Sequence, residues 1–167
     1  MAKSKQDTRI TLDVETPIQE TQGPELVVLV KKLVPEAKIP TRTEQDILDA
    51  GWDIYLSVNK RIPAGGKLAV STGIAMAIPD GWFGHIRPRS GIALNTPLMI
   101  DAGVIDPGYR GEIKIVLVNT AEMPCDVEKG MKIAQMVFER IPQVVMKEVT
   151  DLPLSDRDAK GFGSSGN

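Results

Sequence analysis

The stretch Gly103-Val104-Ile105-Asp106-Pro107-Gly108-Tyr109-Arg110-Gly111-Glu112 lies between two apolar runs, and the fold is most readily inferred from it. The chain approaches this stretch through residues 97–100 and leaves it through residues 113–118. The second run alternates too little for a half-exposed strand, so we expect a strand buried on both faces. Two strands joined by a turn are therefore predicted here.

The residues of the turn indicate a tight hairpin with functional side chains at its tip. Pro107 restricts one backbone angle and Gly108 can adopt a positive φ, as such a turn requires. Asp106 and Tyr109 would then point outward from a rigid scaffold, where functional side chains are commonly found. An ordinary Asx-type turn with a packing tyrosine explains the same residues equally simply.

The composition indicates a single globular domain with no general affinity for polyanions. The 167 residues are 42% hydrophobic and 25% charged, and the net charge is only -2. This balance argues against nucleic acid or an anionic membrane as a partner. One cysteine, Cys125, and one histidine, His85, exclude a disulfide framework and a thiolate or His-rich metal site. Any metal should be a hard ion on oxygen ligands, and a cytoplasmic location is expected because no signal peptide or transmembrane span is recognised.

Short apolar runs separated by Gly and Pro turns predict an all-β sandwich or barrel. The only helix predicted is short and follows Arg89, and Pro79-Asp80-Gly81 predicts a hairpin. The strands outside the central hairpin are predicted at residues 26–30, 52–58, 68–70, 74–78, 82–86, 133–138 and 144–146.

The chain divides into three parts by composition. Residues 1–23 are polar and predict a mobile extension, residues 24–150 the β-barrel domain, and residues 151–167 a flexible tail. The tail carries Arg157 and Phe162 among glycines and serines. An exposed phenylalanine in such a tail gains nothing unless it packs on a flat or apolar surface.

Three further segments contain residues suited to binding a phosphorylated ligand. Arg87-Pro88-Arg89-Ser90-Gly91 combines guanidinium groups, a hydroxyl and a predicted helix start, which together suit phosphate oxygens. Asp53 begins a strand, and Gln135 lies inside an apolar strand where its amide needs partners. Each segment also has an ordinary structural explanation, as a turn, a capping residue or a satisfied amide.

Taken together and in this order, the segments resemble the five motifs of the trimeric dUTPases. The matching segments are Ala50-Gly51-Trp52-Asp53, Pro88-Arg89-Ser90-Gly91, Gly103 to Glu112, Gly130 to Gln135 and Arg157 to Gly166. The resemblance implies a homotrimer of distorted jelly-roll β-barrels, with one short helix per chain. Each C-terminal arm, residues 151–167, would close a neighbouring subunit's active site.

The resemblance also implies an activity and a role for each motif. The family hydrolyses dUTP to dUMP and pyrophosphate with Mg²⁺, which keeps uracil out of DNA and supplies dUMP for dTMP synthesis. Asp106 would deprotonate the attacking water, and Asp53 would hold the metal through water. The remaining predicted site residues would bind substrate: Arg89, Ser90, Gly91, Gly103, Ile105, Tyr109, Gln135, Arg157, Phe162, Gly163 and Ser164.

The implied substrate contacts are specific in kind. Tyr109 would pack under deoxyribose and exclude a 2′-hydroxyl, while Phe162 would close over uracil. Backbone groups of residues 100–104 would hydrogen-bond the edge of the base. Gly103 would let the backbone approach the base so closely that the methyl group of thymine does not fit.

The sequence departs from the family pattern at a few positions. Trp52 stands where tyrosine is usual, Met131-Lys132 where Asp-Arg is usual, and Ser165 where threonine is usual. Lys132 cannot make the bidentate contacts of an arginine, so any ion pair of the usual Asp-Arg is in question.

Two alternative functions remain open from the sequence. A dCTP deaminase or bifunctional deaminase-dUTPase of the same superfamily would use a glutamate in this region, and Glu112 is present. A non-enzymatic β-barrel interaction module is the second alternative.

Overall fold

The computed structural model describes residues 25–42 and 49–155, and these residues form eleven strands and one short helix. The predicted extension 1–23 and residues 156–167 of the predicted arm lie outside the described residues. The helix spans six residues, so the described part of the chain contains no helix able to cross a membrane. The elements are β1 (Leu29–Lys32), β2 (Trp52–Tyr55), β3 (Lys60–Ile62), β4 (Lys67–Ser71), β5 (Ile74–Ala77), β6 (Trp82–Pro88), α1 (Ser90–Asn95), β7 (Leu98–Asp101), β8 (Val104–Ile105), β9 (Lys114–Asn119), β10 (Cys125–Val127) and β11 (Lys132–Arg140).

All strand pairs among the described residues are antiparallel, and they form four small sheets. The largest has the order β2-β11-β6-β8, and a second has the order β4-β9-β7. The remaining two are the pairs β1-β5 and β10-β3. Neighbours in these sheets are seldom neighbours in sequence, as expected for the jelly-roll fold predicted from the sequence.

One continuous core joins the four sheets. Ile54, Ile115, Leu117 and Met136 are fully buried and come from the two largest sheets. Asn119 is buried among them, and its amide donates to the carbonyls of Ile62, Pro63 and Met123 at 2.8–3.2 Å. A buried amide with this many partners is satisfied and connects the end of β9 to two loops.

The predicted short helix is confirmed, and most strands are found within a few residues of their predicted positions. The first strand occupies Leu29–Lys32 rather than 26–30, and the second ends at Tyr55 rather than at residue 58. β11 is three residues longer than the predicted strand 133–138, because it begins one residue earlier and ends two residues later. These shifts follow from pairing, because strand ends depend on partners that are distant in sequence.

Two hairpin predictions were wrong in detail. The turn at Pro79 exists, since the Trp82 N–H donates to the Pro79 carbonyl at 3.2 Å. It does not make a hairpin, however, because β5 pairs with β1 whereas β6 pairs with β11 and β8. The central hairpin does form between β7 and β9, but its connection is long and contains β8.

A prediction about burial and a predicted strand also differ from the structure. β9 alternates between buried and half-exposed residues, so only one of its faces is fully covered by its own chain. Residues 144–146 form no strand, and Val145 and Met146 are each 90% exposed. No strand in the described part of the chain pairs with that apolar segment, and its β-branched residues alone do not produce a strand.

Candidate active site

Three neighbouring strands bring the predicted phosphate-binding residues together. Asp53 on β2 lies opposite Gln135 on β11, and Gln135 lies opposite Arg87 on β6. Arg89 follows β6 directly, as the extended residue before α1. Asp53, Gln135 and Arg89, but not Arg87, line a cavity of about 360 Å³. Its other lining residues are Arg42, Asp49, Ala50, Gly51, Ser90, Lys132 and Val137.

Asp53 is held between two cations. Its Oδ1 lies 2.7 Å from Nε of Arg89, and its Oδ2 lies 2.7 Å from Nζ of Lys132. Only 16% of the Asp53 side chain is exposed, so the carboxylate is partly desolvated. The hydrogen bond that Lys132 donates to Asp53, together with the negative charge of that carboxylate, raises the pKa of Lys132 above its ordinary value. Because the charges are paired in this way, Arg89 and Lys132 are fixed at the edge of the cavity.

A β-bulge places Lys132 at this site. In a regular strand Lys132 and Gln135 would point to opposite faces, because they are three residues apart. The register between β11 and β2 shifts between Lys132 and Ala134, so both side chains line the same cavity. The sequence raised a doubt about this position, whereas the structure shows that Lys132 makes an ion pair with Asp53.

Gln135 is held in position by a contact that only glycine permits. Its Nε2 donates to the Pro88 carbonyl at 2.9 Å. A Cβ added to Gly51 would lie 2.1 Å from Oε1 of Gln135. Gly51 is therefore needed to leave room for the amide.

Trp52 faces away from the small cavity. It lines a larger, mainly apolar cavity, together with Trp82 and Phe138. The Arg42 guanidinium lies 4.8 Å from the centre of the Trp52 ring. The difference from the family's usual tyrosine is therefore one of packing.

The oxygen donors at the cavity suit a metal ion that is bound mainly through a ligand's phosphates. Within residues 25–42 and 49–155 no cluster of three or more Asp, Glu, His or Cys side chains is suited to hold an ion. Each carboxylate oxygen of Asp53 already accepts from a cation but retains a further lone pair. Mg²⁺ typically keeps several waters and binds one carboxylate with substrate phosphates, so Asp53 fits a contact made through water.

Asp106 and Tyr109 occupy a second region, at the end of β8. The Asp106 carbonyl accepts the Tyr109 N–H at 3.0 Å, which closes the turn predicted at Pro107. The Asp106 side chain is exposed, and Tyr109 is 45% exposed. The Tyr109 hydroxyl donates to the Glu112 carbonyl at 2.9 Å, and a Cβ at Gly111 would lie 2.5 Å from that hydroxyl. Glycine at position 111 therefore permits the ring to lie across the backbone.

The backbone before this turn has an unusual conformation. Ala102 has a φ of 59° and Gly103 a φ of 127°. The Ile86 N–H donates to the Gly103 carbonyl at 2.8 Å, and a Cβ at Gly103 would lie 2.8 Å from the Ile86 oxygen. Only glycine allows this approach, and the strain lies at Ala102, which is not a glycine. Together the two residues shape the region assigned from the sequence to the base.

The two regions are far apart within one chain. Ile105, the residue before Asp106, lies opposite Gly84 near the start of β6, whereas Arg89 follows the end of that strand. Arg89 lies five positions after Gly84, which corresponds to about 17 Å along a strand. Asp106 and Tyr109 do not line the cavity around Arg89. One chain therefore does not bring the predicted base and the predicted phosphate ligands to the same point.

The described residues thus place the predicted site in two groups. Asp53, Arg89, Ser90 and Gln135 lie together at the cavity, while the Gly103–Tyr109 segment lies apart from them. Gly91 is exposed on the first turn of α1, beside Ser90. The predicted tail residues Arg157, Phe162, Gly163 and Ser164 lie outside the described residues.

Comparison with known proteins identifies the same family as the sequence motifs. The dUTPase family model matches residues 36–166. The chain is 42% identical over 150 residues to deoxyuridine 5′-triphosphate nucleotidohydrolase of the yeast Debaryomyces hansenii, with 89% of this chain and 92% of the relative covered. It is 43% identical over 139 residues to the enzyme of the same name from Paramecium bursaria Chlorella virus 1, with 83% and 97% covered.

Solved structures of phage dUTPases have the same fold. The dUTPase of Staphylococcus bacteriophage 80alpha with dUpNHpp superposes with a TM-score of 0.78 at 31% identity, and the match covers 84% of this chain and 99% of that one. A D95N mutant dUTPase of the S. aureus phage phi11, described as coordinating a structural Mg(II) ion, has a TM-score of 0.70 at 26% identity. That match covers 75% and 97% of the two chains.

Proposed function

Because this chain belongs to the dUTPase family, we propose that it hydrolyses dUTP to dUMP and pyrophosphate. One observation of the site supports this activity most directly. Two cations, Arg89 and Lys132, are held at a cavity beside Gln135, while an exposed carboxylate and tyrosine lie on a separate, glycine-shaped turn. The first group suits a triphosphate, and the second suits a water nucleophile and a sugar.

The phosphate-binding group gains its selectivity from charge and planarity. Arg89 donates from Nε to Asp53 and from Nη1 to the Lys132 carbonyl at 3.3 Å, so its guanidinium plane is fixed. A fixed guanidinium loses less side-chain entropy when it binds a phosphate than a free one. Ser90 and Gln135 would add neutral hydrogen bonds to the phosphate oxygens. Since a triphosphate carries about four negative charges, these donors favour it over a monophosphate product.

Asp106 is the proposed general base. Its carboxylate would accept a proton from a water molecule as the water oxygen bonds to the α-phosphorus. The bond between the α-phosphorus and the bridging oxygen then breaks, and pyrophosphate leaves with the electron pair. A general base within hydrogen-bond reach of the water contributes roughly 10²- to 10⁴-fold to the rate.

We assign Mg²⁺ to the phosphates of the substrate, with Asp53 contacting it through water. Such an ion, when bound, neutralises charge on the phosphates. The residues of this chain bind and orient the nucleotide, and Asp106 takes the proton.

The Gly103–Tyr109 segment is proposed to bind and recognise the nucleoside. Exposed Tyr109 offers a ring face for deoxyribose, and the strained Ala102-Gly103 backbone presents polar groups to the base. A site that pairs with the edge of uracil refuses cytosine, because reversed donors and acceptors are left unpaired. Arg157, Phe162, Gly163 and Ser164 are proposed to complete this site from the tail.

A homotrimer is the proposed assembly. The separation of about 17 Å along β6 prevents one chain from presenting Asp106 and Arg89 to one phosphate, whereas neighbouring copies can supply one group each. Apolar residues exposed in the described chain support such contacts, and the segment after β11 includes Val144, Val145, Met146 and Leu152. A cytoplasmic location remains a prediction.

The two alternatives from the sequence receive less support. A deaminase would need the Glu112 carboxylate free to act, but its oxygens accept from the Gly73 N–H and the Ser71 hydroxyl. A non-enzymatic module would not require a glycine to fit beside Gln135 or an ion-paired Arg89.

Pyrophosphate release from dUTP, dCTP, dTTP and UTP, with and without Mg²⁺, tests the activity. We expect release from dUTP alone at an appreciable rate, with magnesium required, and a solution mass of three chains. Ammonia release from dCTP would instead favour the deaminase. The absence of any nucleotide turnover would contradict the proposed function.

A further inference from the structure

The end of the active-site turn is attached to the bend between β4 and β5 by several hydrogen bonds. The Gly73 N–H donates to Oε1 of Glu112 at 2.9 Å, and the Ser71 hydroxyl lies 3.4 Å from Oε2 of Glu112. The next residue is also attached, because the Ile113 N–H donates to the Ile74 carbonyl at 2.9 Å and the Thr72 hydroxyl donates to the Ile113 carbonyl. Residues 112–113 are therefore docked firmly on residues 71–74.

The Glu112 carboxylate satisfies a backbone donor that water does not readily reach. Gly73 is buried and has a φ of 71°, and an added Cβ would lie 2.7 Å from Cγ2 of Val34. The bend therefore has little freedom to turn its N–H elsewhere. A buried N–H left without a partner is costly, so the position of Glu112 is strongly determined.

Glu112 also supplies the carbonyl to which the Tyr109 side chain is hydrogen-bonded. The Tyr109 hydroxyl donates to the Glu112 carbonyl at 2.9 Å, and the ring lies against Gly111. The backbone oxygen to which the tyrosine is bound is therefore held by two contacts, the Glu112 side chain on Gly73 and the Ile113 N–H of the same peptide unit on Ile74. The position of the exposed Tyr109 ring therefore depends on the Glu112 carboxylate, which does not touch the ring but binds the bend between β4 and β5.

We propose that Glu112 is a positioning residue that sets the preference for a deoxyribose over a ribose. The inference rests on the proposed function, in which the Tyr109 ring packs under the sugar. With the Gly73 bond intact, the ring is held where a 2′-hydroxyl does not fit. Without it, the Glu112 peptide is held only from its Ile113 side, so the carbonyl and the ring shift together and the added hydroxyl is accommodated.

The test compares Glu112→Ala with Glu112→Gln in the full-length chain. The measured quantity is the ratio of kcat/KM for dUTP to kcat/KM for UTP, which does not depend on the fraction of folded enzyme. We expect this ratio to fall about tenfold in E112A, since small displacements of a positioning group have effects of this size or larger. In E112Q the amide oxygen still accepts from Gly73, so the ratio should remain within about twofold of wild type.

Two further variants sharpen the test. Lys114→Met removes a cation that lies 3.7 Å from the same carboxylate but leaves the Gly73 bond, so the ratio should not change. Tyr109→Phe removes only the hydroxyl that binds the Glu112 carbonyl, and the ratio should fall in the same direction as in E112A. Y109F provides the test if E112A does not fold.

The outcomes separate the inference from the proposed function. An unchanged ratio in E112A or Y109F, or a fall in E112Q as large as in E112A, would overturn the role of Glu112 while dUTP hydrolysis stands. A wild-type chain that releases no pyrophosphate from dUTP would overturn the proposed function itself and the role of Glu112 with it.

Discussion

The phosphate cavity and the Asp106 turn differ in how far one chain completes them. The cavity is built on three adjacent strands, and its central carboxylate, Asp53, has a cation at each oxygen. The turn follows a strand of only two residues, and its Asp106 and Tyr109 side chains face solvent. On the proposed assignment, phosphate binding would be organised within a chain, whereas the proposed base, Asp106, would depend on an assembly to meet its substrate.

The largest effect is expected when the turn loses its base and the cavity is left intact. Asp106→Asn keeps the shape of the side chain but removes its ability to take a proton. We expect kcat to fall by about 10²- to 10⁴-fold, with little change in melting temperature, because the side chain is exposed. Steady-state pyrophosphate release and thermal unfolding check both parts, and unchanged turnover would remove Asp106 from the mechanism.

A second, smaller effect is expected when the geometry of the cavity is disturbed. Gly51→Ala places a Cβ where Oε1 of Gln135 now lies, so the amide must rotate and abandon Pro88. We expect kcat/KM for dUTP to fall about tenfold or more. Gly81→Ala is a matched control far from the cavity, with open space around the added Cβ but a φ of 80°. It should cost stability, as a positive φ does, and leave kcat/KM near the wild-type value.

A third change tests the charge pairing itself. Lys132→Met leaves Asp53 with Arg89 alone, which draws the guanidinium toward the carboxylate and weakens phosphate binding. We expect KM for dUTP to rise several-fold while kcat changes less. Lys132→Arg retains the charge, so its KM should stay close to that of wild type. Equal KM values in all three proteins would show that the Lys132 ion pair does not support phosphate binding.

The smallest effect concerns the strained backbone before the turn. A hydrogen bond from Lys67, and a second from the Ala102 N–H, lower the pKa of Asp101 below 3.8. A lowered pKa stabilises the fold above pH 3.8, and this contribution is lost as the pH falls through the lower folded-state pKa. Lys67→Met should therefore unfold at a slightly lower temperature than wild type at neutral pH, and the difference should shrink below pH 3.8. A difference that stays constant with pH would contradict this assignment.

The sequence predicted the elements better than their partners. Short β-branched runs and Gly or Pro turns located most strands and the helix after Arg89, because these signals are local. The partners of β5 and β6 were predicted wrongly as each other, since a turn at Pro79 has the same sequence signals whether the chain doubles back or crosses to another sheet. Residues 144–146 were wrongly predicted as a strand for the same reason: no partner in the described chain reaches them.

The site was predictable in its residues but not in its arrangement. Motif order indicated Asp53, Arg89 and Gln135, and the structure places these three at one cavity. The part played by Lys132 depends on a bulge in β11, which no spacing rule reveals. The structural role of Glu112 depends on the buried N–H of Gly73, 39 residues away in sequence, and was equally hidden.

Co-expression of two inactive variants tests most directly whether the site is shared between chains. Asp106→Asn removes the base, and Arg89→Gln removes the phosphate ligand, so no chain in the mixture carries both groups. If each site takes these groups from different copies, random assembly restores both in about one quarter of sites. We predict activity near that fraction of wild type, whereas activity no greater than that of the separate variants would contradict the shared site.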